Sequence, residues 1–276
     1  MNRLGRIGYL NVLPIYHPLE AGWLRHGFTF TSGPPAELNR MIRAGGLDLS
    51  SVSSVEYARH PERYLLLPDL AIASRGPVKS VLLLSRVPVE TLDGKPLLVT
   101  SESHTSAALL RIVLSRVHGV APRYETAPHS IRQALALGHE APAVLAIGDE
   151  ALSLRTDARF PHQLDLGEVW RGWTGLPFVF GVWVVRREAA LAQPEKALAA
   201  ARLLAESKRM GVAAIEEIVS LAALTKSKLS RAELRRYFDR LGYDLGPDEQ
   251  AGLRRFFACL AEHKLIEAAP ELEILS

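Results

Sequence analysis

Residues 176–187, LPFVFGVWVVRR, form a long apolar run in which Val and aromatic residues dominate. A run of this composition predicts a buried β-strand. A second apolar run, SVLLLS at residues 80–85, stands much earlier in the chain and predicts another strand. We expect these two runs to carry the chain out of one α/β unit and back into it.

The block between the two runs alternates predicted strands with predicted helices. KPLLVT at residues 95–100 predicts a strand, and HTSAALLRIVLSRV at 104–117 predicts an amphipathic helix. PHSIRQALAL at 128–137 predicts a further helix, and AVLAIGDEAL at 143–152 predicts a strand, a loop and a helix start. Strands that alternate with helices indicate a mostly parallel sheet with crossover connections.

The segment before the first run shows the same alternation. RIGYLNVLPIY at residues 6–16 predicts a buried strand followed by a loop, with Asn11 at or near the carboxyl end of the strand. PAELNRMIR at 35–43 has helical spacing, and the strand predicted at 47–52 follows it.

The alternation predicts an α/β protein of two lobes with two strand crossovers and a helical C-terminal segment. We expect residues 1–85 and 181–276 to form the first lobe and residues 86–180 the second, with helices throughout the part after Glu188. The cleft between two such lobes is the expected ligand site.

Composition and charge exclude several classes of function. Of the 276 residues, 48% are hydrophobic, and 33 Lys and Arg against 30 Asp and Glu leave a net charge of only +3. Because the basic residues are scattered, nucleic acid is not an expected partner. The N-terminal residues reach charge and proline too early for a secretory signal, and no apolar run is long enough to cross a bilayer, so we expect no membrane association.

A single cysteine, Cys259, excludes an intrachain disulfide and fits a reducing cytoplasm. The sequence contains no GxGxxG after a strand, no Walker-type loop, no GxSxG, no HExxH and no CxxC. We therefore expect neither a metal nor a nucleotide cofactor.

Small polar residues stand where predicted strands pass into loops or helices. They are Asn11, Ser53, Ser54, Ser80, Ser103, Thr105, Ser106, Gly148, Asp149, Thr174 and Gly175. The carboxyl ends of parallel strands from both lobes converge on one crevice, and helix N-termini there offer N–H donors to anions. Among the nine histidines, only His104 lies near the presumed cleft.

Several of these residues also have a purely structural interpretation. Ser103 or Thr105 could simply cap the following helix, Asp149 could do the same, and the Ser53-Ser54 pair could form a satisfied turn. Asn11 differs, because an amide buried in a strand is costly unless a ligand or a network uses it.

Six separated segments together resemble the chorismate dehydratase family of menaquinone biosynthesis. They are GRIGYLNVLPIYHPL, PAELNRMIRAGGLDLSSVSSVEYA, YLLLPDLAIASRGPVKSVLLLS, SESHTSAALLRIVL, AIGDEAL and DLGEVWRGWTGLPFVFGVWVVRR, in the same order over roughly residues 4–187. The resemblance implies a type II periplasmic-binding-protein-like fold. It also implies conversion of chorismate to 3-[(1-carboxyvinyl)oxy]benzoate with loss of water, without a metal or organic cofactor.

The family's cleft residues carry over to the small polar residues named above, since each lies inside a matching segment. Under this interpretation Asn11 and Ser80 position the ring and its leaving hydroxyl, and residues 103–106 hold a carboxylate. The general base stays open between Asp149, Glu56, His104 and the substrate's own side-chain carboxylate.

Two other functions stay open at this stage. One is the 1,4-dihydroxy-6-naphthoate synthase of the same pathway, and the other is a non-catalytic cytoplasmic solute-binding protein. The apolar C-terminal helices could bury a homodimer interface, and they could equally cover the first lobe.

Overall fold

A computed structural model describes residues 1–100, 104–127, 130–225 and 229–276. Its strands are β1 (Arg3–Ile7), β2 (Thr29–Gly33), β3 (Leu49–Ser53), β4 (Tyr64–Ser74), β5 (Val81–Ser85), β6 (Pro96–Thr100), β7 (Arg123–Ala127), β8 (Ala143–Ile147), β9 (His162–Asp165), β10 (Phe178–Arg186) and β11 (Leu241–Gly242). Its helices are α1 (Leu13–Glu20), α2 (Pro35–Arg43), α3 (Ser54–Arg59), α4 (His104–Arg116), α5 (Ile131–Ala136), α6 (Gly148–Leu154), α7 (Leu166–Thr174), α8 (Arg187–Ala192), α9 (Pro194–Ala213), α10 (Ile215–Thr225), α11 (Arg231–Phe238) and α12 (Pro247–Glu262).

The strands form two sheets, which confirms the predicted α/β class. The first sheet has six strands in the order β11-β4-β10-β3-β1-β2, and the second has five in the order β7-β6-β8-β5-β9. In the first sheet β1 pairs in parallel with β2 and β3, and in the second β6 pairs in parallel with β7 and β8. The C-terminal segment is helical as predicted up to Glu262, apart from the two-residue strand β11. The residues after Glu262 are not helical, and Ile274 forms a parallel bridge with Leu66.

The crossings between the sheets differ from the prediction. The strand Val81–Ser85 was expected to leave the first lobe, but it lies wholly in the second sheet, between β8 and β9. The chain therefore crosses through residues 75–80 and returns through residues 166–177. An apolar run indicates a strand that is buried on both faces, but it does not indicate which sheet contains that strand. The lobe boundaries at residues 85 and 181 stay a prediction, and sheet membership favours boundaries within the two crossings.

The N-terminal segment corrects a second expectation. The strand predicted at residues 6–16 ends at Ile7, and a 3-10 turn over Leu10–Val12 leads directly into α1. Pro14 stands in the first turn of α1. Proline is tolerated there because the amide that it lacks would have no partner within the helix. Asn11 consequently lies in a turn rather than in a strand.

The C-terminal helices cover the first sheet. Alanines of α9 pack in one apolar cluster with Leu4, Tyr16 and Trp183, and Phe256 and Phe257 of α12 belong to the largest core cluster. Helix α9 also lies close against α1: a Cβ at Gly211 would overlap the carbonyl oxygen of Pro14. This contact requires glycine because backbone meets backbone.

Replacing Gly211 by alanine is expected to lower the free energy of unfolding by about 1–3 kcal/mol, the usual cost of overpacking. Gly172, in α7, is the matched control because a Cβ there would meet no atom within 4 Å. Gly172→Ala should raise stability by about 0.5–1 kcal/mol, since alanine is the better helix former. Urea denaturation of both variants measures the difference, and an equal response would contradict the close α1–α9 contact.

Candidate active site

One pocket lies between the two sheets and encloses about 750 Å³, open solvent included. The first sheet and its connections contribute Ile7, Tyr9, Asn11, Val12, Pro35, Ser51, Val52, Ser53, Ile72, Phe180, Gly181, Trp183 and Leu241. The first crossing and the second sheet contribute Val78, Ser80, Val81, His104, Thr105, Ser106, Ile147 and Gly148.

The topology explains why polar groups gather in this pocket. The 3-10 turn after β1 and the helices after β3, β6 and β8 all begin at the pocket. At the start of a helix the first backbone N–H groups have no partner within the helix, so they are available to side chains or to an anion. Helix α4, with 13 residues, presents Thr105 and Ser106 in its first turn.

The two strands that follow the crossings run against their neighbours. β5 is antiparallel to β8 and β9, and β10 is antiparallel to β3 and β4. β5 and β10 begin at the pocket, whereas the parallel strands end there. β5 and β10 therefore run in the direction opposite to the parallel strands. For this reason Ser80, which precedes a strand rather than following one, still lies in the pocket.

Asn11 carries the clearest sign of a ligand-binding role. Its side-chain oxygen is buried and has no hydrogen-bond partner among the residues that the structure describes. A buried acceptor without a donor costs about 1–3 kcal/mol, and most such groups in native proteins have a partner. The amide of Asn11 therefore has an acceptor to offer to a molecule in the pocket.

Ser80 is only 3% exposed and its backbone is held from two sides. Its carbonyl oxygen accepts the N–H of Gly148 at 2.7 Å. The preceding residue, Lys79, has a left-handed φ of 63°. The backbone N–H groups of Val78 and Lys79 donate to the carboxylate of Asp165 at 3.0 and 2.8 Å.

Gly148 and Asp149 have different positions. Gly148 lines the pocket with a left-handed φ of 56°, and a Cβ there would lie 3.4 Å from the ring of Tyr9, so the site favours glycine. Asp149 does not line the pocket. Its carboxylate accepts the backbone N–H of Leu10 at 3.4 Å and so links α6 to the turn that carries Asn11.

Ser53 and Ser54 also differ in their position relative to the pocket. Ser53 lines the pocket, and its hydroxyl oxygen accepts the N–H of Glu56 as the N-cap of α3. Ser54 is fully buried and donates to the carbonyl oxygen of Val179 at 2.7 Å, outside the pocket lining. Thr105 faces the pocket while its hydroxyl oxygen accepts the N–H of Val55 at 3.1 Å, a hydrogen bond between the two lobes.

Two of the remaining predicted residues, Thr174 and Gly175, do not line the described pocket. Ser103 lies outside the described residues. Thr174 and Gly175 end α7: the Thr174 hydroxyl donates to the carbonyl oxygen of Trp170 at 2.8 Å, and Gly175 has a left-handed φ of 71°. Polar residues next to glycine are typical of helix C-termini as well as of binding loops, so the sequence pattern alone does not separate the two.

Sequence reasoning missed Ser51, Tyr9 and Trp183 as pocket residues. Ser51 lies within β3 and accepts the Tyr16 hydroxyl at 3.4 Å, and the Trp183 indole donates to that same hydroxyl at 3.1 Å. Trp183 both packs in the core and lines the pocket. The available signal for Ser51 was the group of serines in β3, whose sequence is LSSVS and which also contains Ser53.

The histidine and carboxylate candidates for the general base differ in their position relative to the pocket. His104 lines the pocket, and burial together with the nearby Arg59 lowers its pKa, which favours the neutral imidazole at pH 7. Glu56 is buried outside the pocket lining and is engaged by Arg43 at 3.2 Å and by the Tyr64 hydroxyl at 2.9 Å.

The pocket lining contains no lysine, arginine or carboxylate among the described residues. An anion bound there would be recognised by hydroxyl, amide and backbone N–H donors rather than by opposite charge. In the described ranges no group of three or more His, Cys, Asp or Glu side chains is arranged to hold a metal ion. The same part of the chain has no helix long and apolar enough to cross a membrane.

The two-lobed architecture with a pocket between the lobes defines the periplasmic-binding-protein-like class of fold. The structure is similar to the periplasmic aliphatic sulphonate binding protein of Escherichia coli, with a TM-score of 0.68, 16% identity and coverage of 99% and 97% of the two chains. It is also similar to protein AF1704 of Archaeoglobus fulgidus, with a TM-score of 0.78, 19% identity and coverage of 96% and 98%.

Within that class the sequence is more specific. A family model described as menaquinone biosynthesis matches residues 2–262, and the chain belongs to that family. It is 35% identical to the chorismate dehydratase of Thermus thermophilus over 93% of this chain and 94% of that one. It is 26% identical to the 1,4-dihydroxy-6-naphthoate synthase of the same organism over 80% and 79%. The resemblance found in the separated segments is confirmed.

Replacing Asp165 by asparagine is expected to lower the free energy of unfolding by about 2–4 kcal/mol. The carboxylate of Asp165 accepts backbone N–H groups from both crossings, those of Val78 and Lys79 and those of Gly167 and Glu168. In the asparagine variant an amide nitrogen would replace one carboxylate oxygen and would face these backbone N–H donors, so hydrogen bonds would be lost. Hydrogen bonds to charged groups contribute about 1.5–3 kcal/mol each.

The control for this prediction is Asp157→Asn, because Asp157 pairs with Arg159 at the surface. Exposed ion pairs contribute about 0–1 kcal/mol. Thermal and urea denaturation compare the two variants. Similar losses in both would show that Asp165 does not hold the crossings together.

Proposed function

We propose that this protein is a chorismate dehydratase, a carbon–oxygen lyase that converts chorismate to 3-[(1-carboxyvinyl)oxy]benzoate and water in menaquinone biosynthesis by the futalosine pathway. The observation that carries the proposal is the placement of two residues in one pocket: Asn11, in the turn after β1, and Ser80, at the end of the first crossing. Membership of the menaquinone-biosynthesis family and similarity along nearly the whole chain to a chorismate dehydratase support it.

The chemistry of the reaction suits a pocket of neutral donors. Loss of the C3 proton and the C4 hydroxyl makes the ring aromatic, so the driving force comes from the substrate. The protein has to orient the ring, assist removal of the proton and donate a hydrogen bond to the departing hydroxyl. These are tasks for amide, hydroxyl and imidazole groups, and the pocket contains all three.

Charge that develops at the reacting carbon can spread onto the ring carboxylate through the conjugated double bond. Donors aimed at that carboxylate then stabilise the transition state more than the ground state. We assign this role to the first turn of α4, where Thr105 and Ser106 line the pocket. Ser53 and Gly148 line the opposite parts of the same pocket and complete the substrate-binding set.

The roles of Asn11 and Ser80 follow from what each side chain can offer. Asn11 has an unpartnered buried oxygen that can accept from a substrate hydroxyl, and its NH₂ group can donate. We assign to the Ser80 hydroxyl the hydrogen bond to the leaving hydroxyl, since Ser80 lines the pocket. The proton acceptor is then His104, which lines the pocket, or the substrate's own side-chain carboxylate, since Asp149 and Glu56 lie outside the lining.

Replacing Asn11 by alanine should reduce turnover of chorismate by about 100-fold or more, comparable to the loss of one preorganised donor at a reaction centre. The melting temperature should change little, because the Asn11 side-chain oxygen makes no hydrogen bond to a described residue. Asn2→Ala is the control, since the side chain of Asn2 is exposed. Parallel losses of turnover and stability in Asn11→Ala would identify a structural residue instead.

The assay that tests the function itself is incubation of the purified protein with chorismate and no added cofactor, with detection of an aromatic product and water loss by mass spectrometry. The predicted result is 3-[(1-carboxyvinyl)oxy]benzoate. Chorismate that binds but stays unchanged would favour a solute-binding protein. Release of 1,4-dihydroxy-6-naphthoate from a cyclised precursor, with no action on chorismate, would favour the naphthoate synthase, to which the identity is lower.

The proposed setting is the cytoplasm, where a lone buried thiol such as Cys259 stays reduced. A homodimer remains compatible with the fold, and size-exclusion chromatography with light scattering would decide it.

A further inference from the structure

Two backbone N–H groups in the first turn of α3 donate to hydroxyl oxygens that come from the two lobes. The N–H of Glu56 donates to Ser53 Oγ at 3.2 Å, and the N–H of Val55 donates to Thr105 Oγ1 at 3.1 Å. Because the two N–H groups are consecutive, the two hydroxyls lie close to each other. Ser53, at the end of β3, and Thr105, in α4, both line the pocket.

Ser53 Oγ accepts a second hydrogen bond from a residue behind the pocket. The side-chain nitrogen of Asn39, in α2, donates to Ser53 Oγ at 3.3 Å. A serine hydroxyl can accept two hydrogen bonds and donate one. Asn39 and the N–H of Glu56 therefore occupy both acceptor positions, and the Ser53 hydroxyl donates to no described residue. The proton of Ser53 is left for a molecule in the pocket.

Asn39 stands at a position where an apolar side chain would be more stable. Its side chain is only 2% exposed, and its side-chain oxygen has no hydrogen-bond partner among the described residues. The other buried residues of α2 are Leu38 and Ile42. A buried acceptor without a donor is destabilising, and leucine is also the better helix former. The hydrogen bond to Ser53, rather than packing, therefore accounts for an asparagine at this position.

We propose that Asn39 is a positioning residue that directs the Ser53 O–H into the pocket, where Ser53 and Thr105 donate together to one carboxylate of the substrate. This role rests on the dehydratase function proposed above, and the carboxylate is the one assigned to the first turn of α4. Each hydroxyl has a backbone N–H behind it, which polarises the O–H bond and strengthens the hydrogen bond in front. Asn39 does not line the pocket, so it acts through Ser53 alone.

This arrangement also predicts which ligands the pocket prefers. A carboxylate has only acceptors, so it can meet two hydroxyl donors at once. A carboxamide would turn its NH₂ group toward one of them, and Ser53 Oγ could not accept it because both acceptor positions are occupied. The pocket should therefore bind a carboxylate more tightly than the corresponding carboxamide.

A double-mutant cycle in the chorismate assay tests the role of Asn39, with Asn39→Leu, Ser53→Ala and the double variant. Ser53→Ala should lower kcat/KM about 10- to 100-fold, the range for a hydrogen bond to a charged group, and Asn39→Leu about three- to tenfold. The double variant should be as slow as Ser53→Ala alone, within about twofold. The melting temperature of Asn39→Leu should not fall, because the substitution removes a buried acceptor that has no described partner.

Calorimetric titration with 3-[(1-carboxyvinyl)oxy]benzoate and with its ring carboxamide supplies a measurement that a purely structural role would not change. Wild-type protein should prefer the carboxylate, and Asn39→Leu and Ser53→Ala should each reduce the ratio of the two dissociation constants about threefold or more.

Ser130→Ala is the matched control for the loss of a helix cap at Ser53. Ser130 caps α5 through the same contact, in which its hydroxyl oxygen accepts the N–H of Gln133 at 3.2 Å, and it does not line the pocket. Ser130→Ala should lower the melting temperature about as much as Ser53→Ala, since each removes one cap. It should keep kcat/KM and the ligand preference within about twofold of the wild type.

Three results would overturn the role of Asn39, and each has a distinct meaning. Faster turnover in Asn39→Leu would show that Asn39 accepts the Ser53 proton instead of donating to Ser53 Oγ. Losses that multiply in the double variant would show that Asn39 acts independently of Ser53. An unchanged preference for the carboxylate would show that Ser53 does not meet that group. All three leave the dehydratase function standing, whereas wild-type protein that does not turn over chorismate would overturn that function and the role of Asn39 with it.

Discussion

The buried carboxylate of Asp165 holds together the two segments that join the sheets. It stands at the end of β9, accepts the N–H groups of Val78 and Lys79 from the outgoing crossing, and caps α7 at the start of the return. Gly167 lies so close to this point that a Cβ there would lie 2.6 Å from the carbonyl oxygen of Gly76. The position of Ser80 at the pocket, and the direction of the strand that follows it, depend on this junction.

The pocket holds its polar groups in defined positions and carries little charge. Its described lining has hydroxyl, amide and imidazole groups but no lysine or arginine. A dianionic ring compound in such a pocket is recognised by the direction of donors more than by Coulomb attraction, which favours interactions that strengthen as charge moves during the reaction. The same arrangement explains why a fold shared with solute-binding proteins can support a lyase: the lobes supply orientation, and the substrate supplies the driving force.

The sequence predicted much of this site because polar residues at strand ends of an α/β protein converge. Asn11, Ser53, Ser80, Thr105, Ser106 and Gly148 were all placed by that rule, and all line the pocket. Four other residues chosen by the same rule are not part of the described lining: Ser54, Asp149, Thr174 and Gly175. Thr174 and Gly175 end α7, and the C-terminus of a helix uses the same residue types. The apolar pattern also extended the first strand too far, because the apolar residues before Pro14 continue from a strand through a turn into a helix.

The most direct test of the account is a crystal structure of the protein with 3-[(1-carboxyvinyl)oxy]benzoate bound. The account predicts the aromatic ring between Asn11 and Ser80, each with a polar atom about 2.7–3.2 Å from the ligand. It also predicts a carboxylate against the first turn of α4. A ligand that contacts residues of one lobe only, or that lies away from both Asn11 and Ser80, would contradict it.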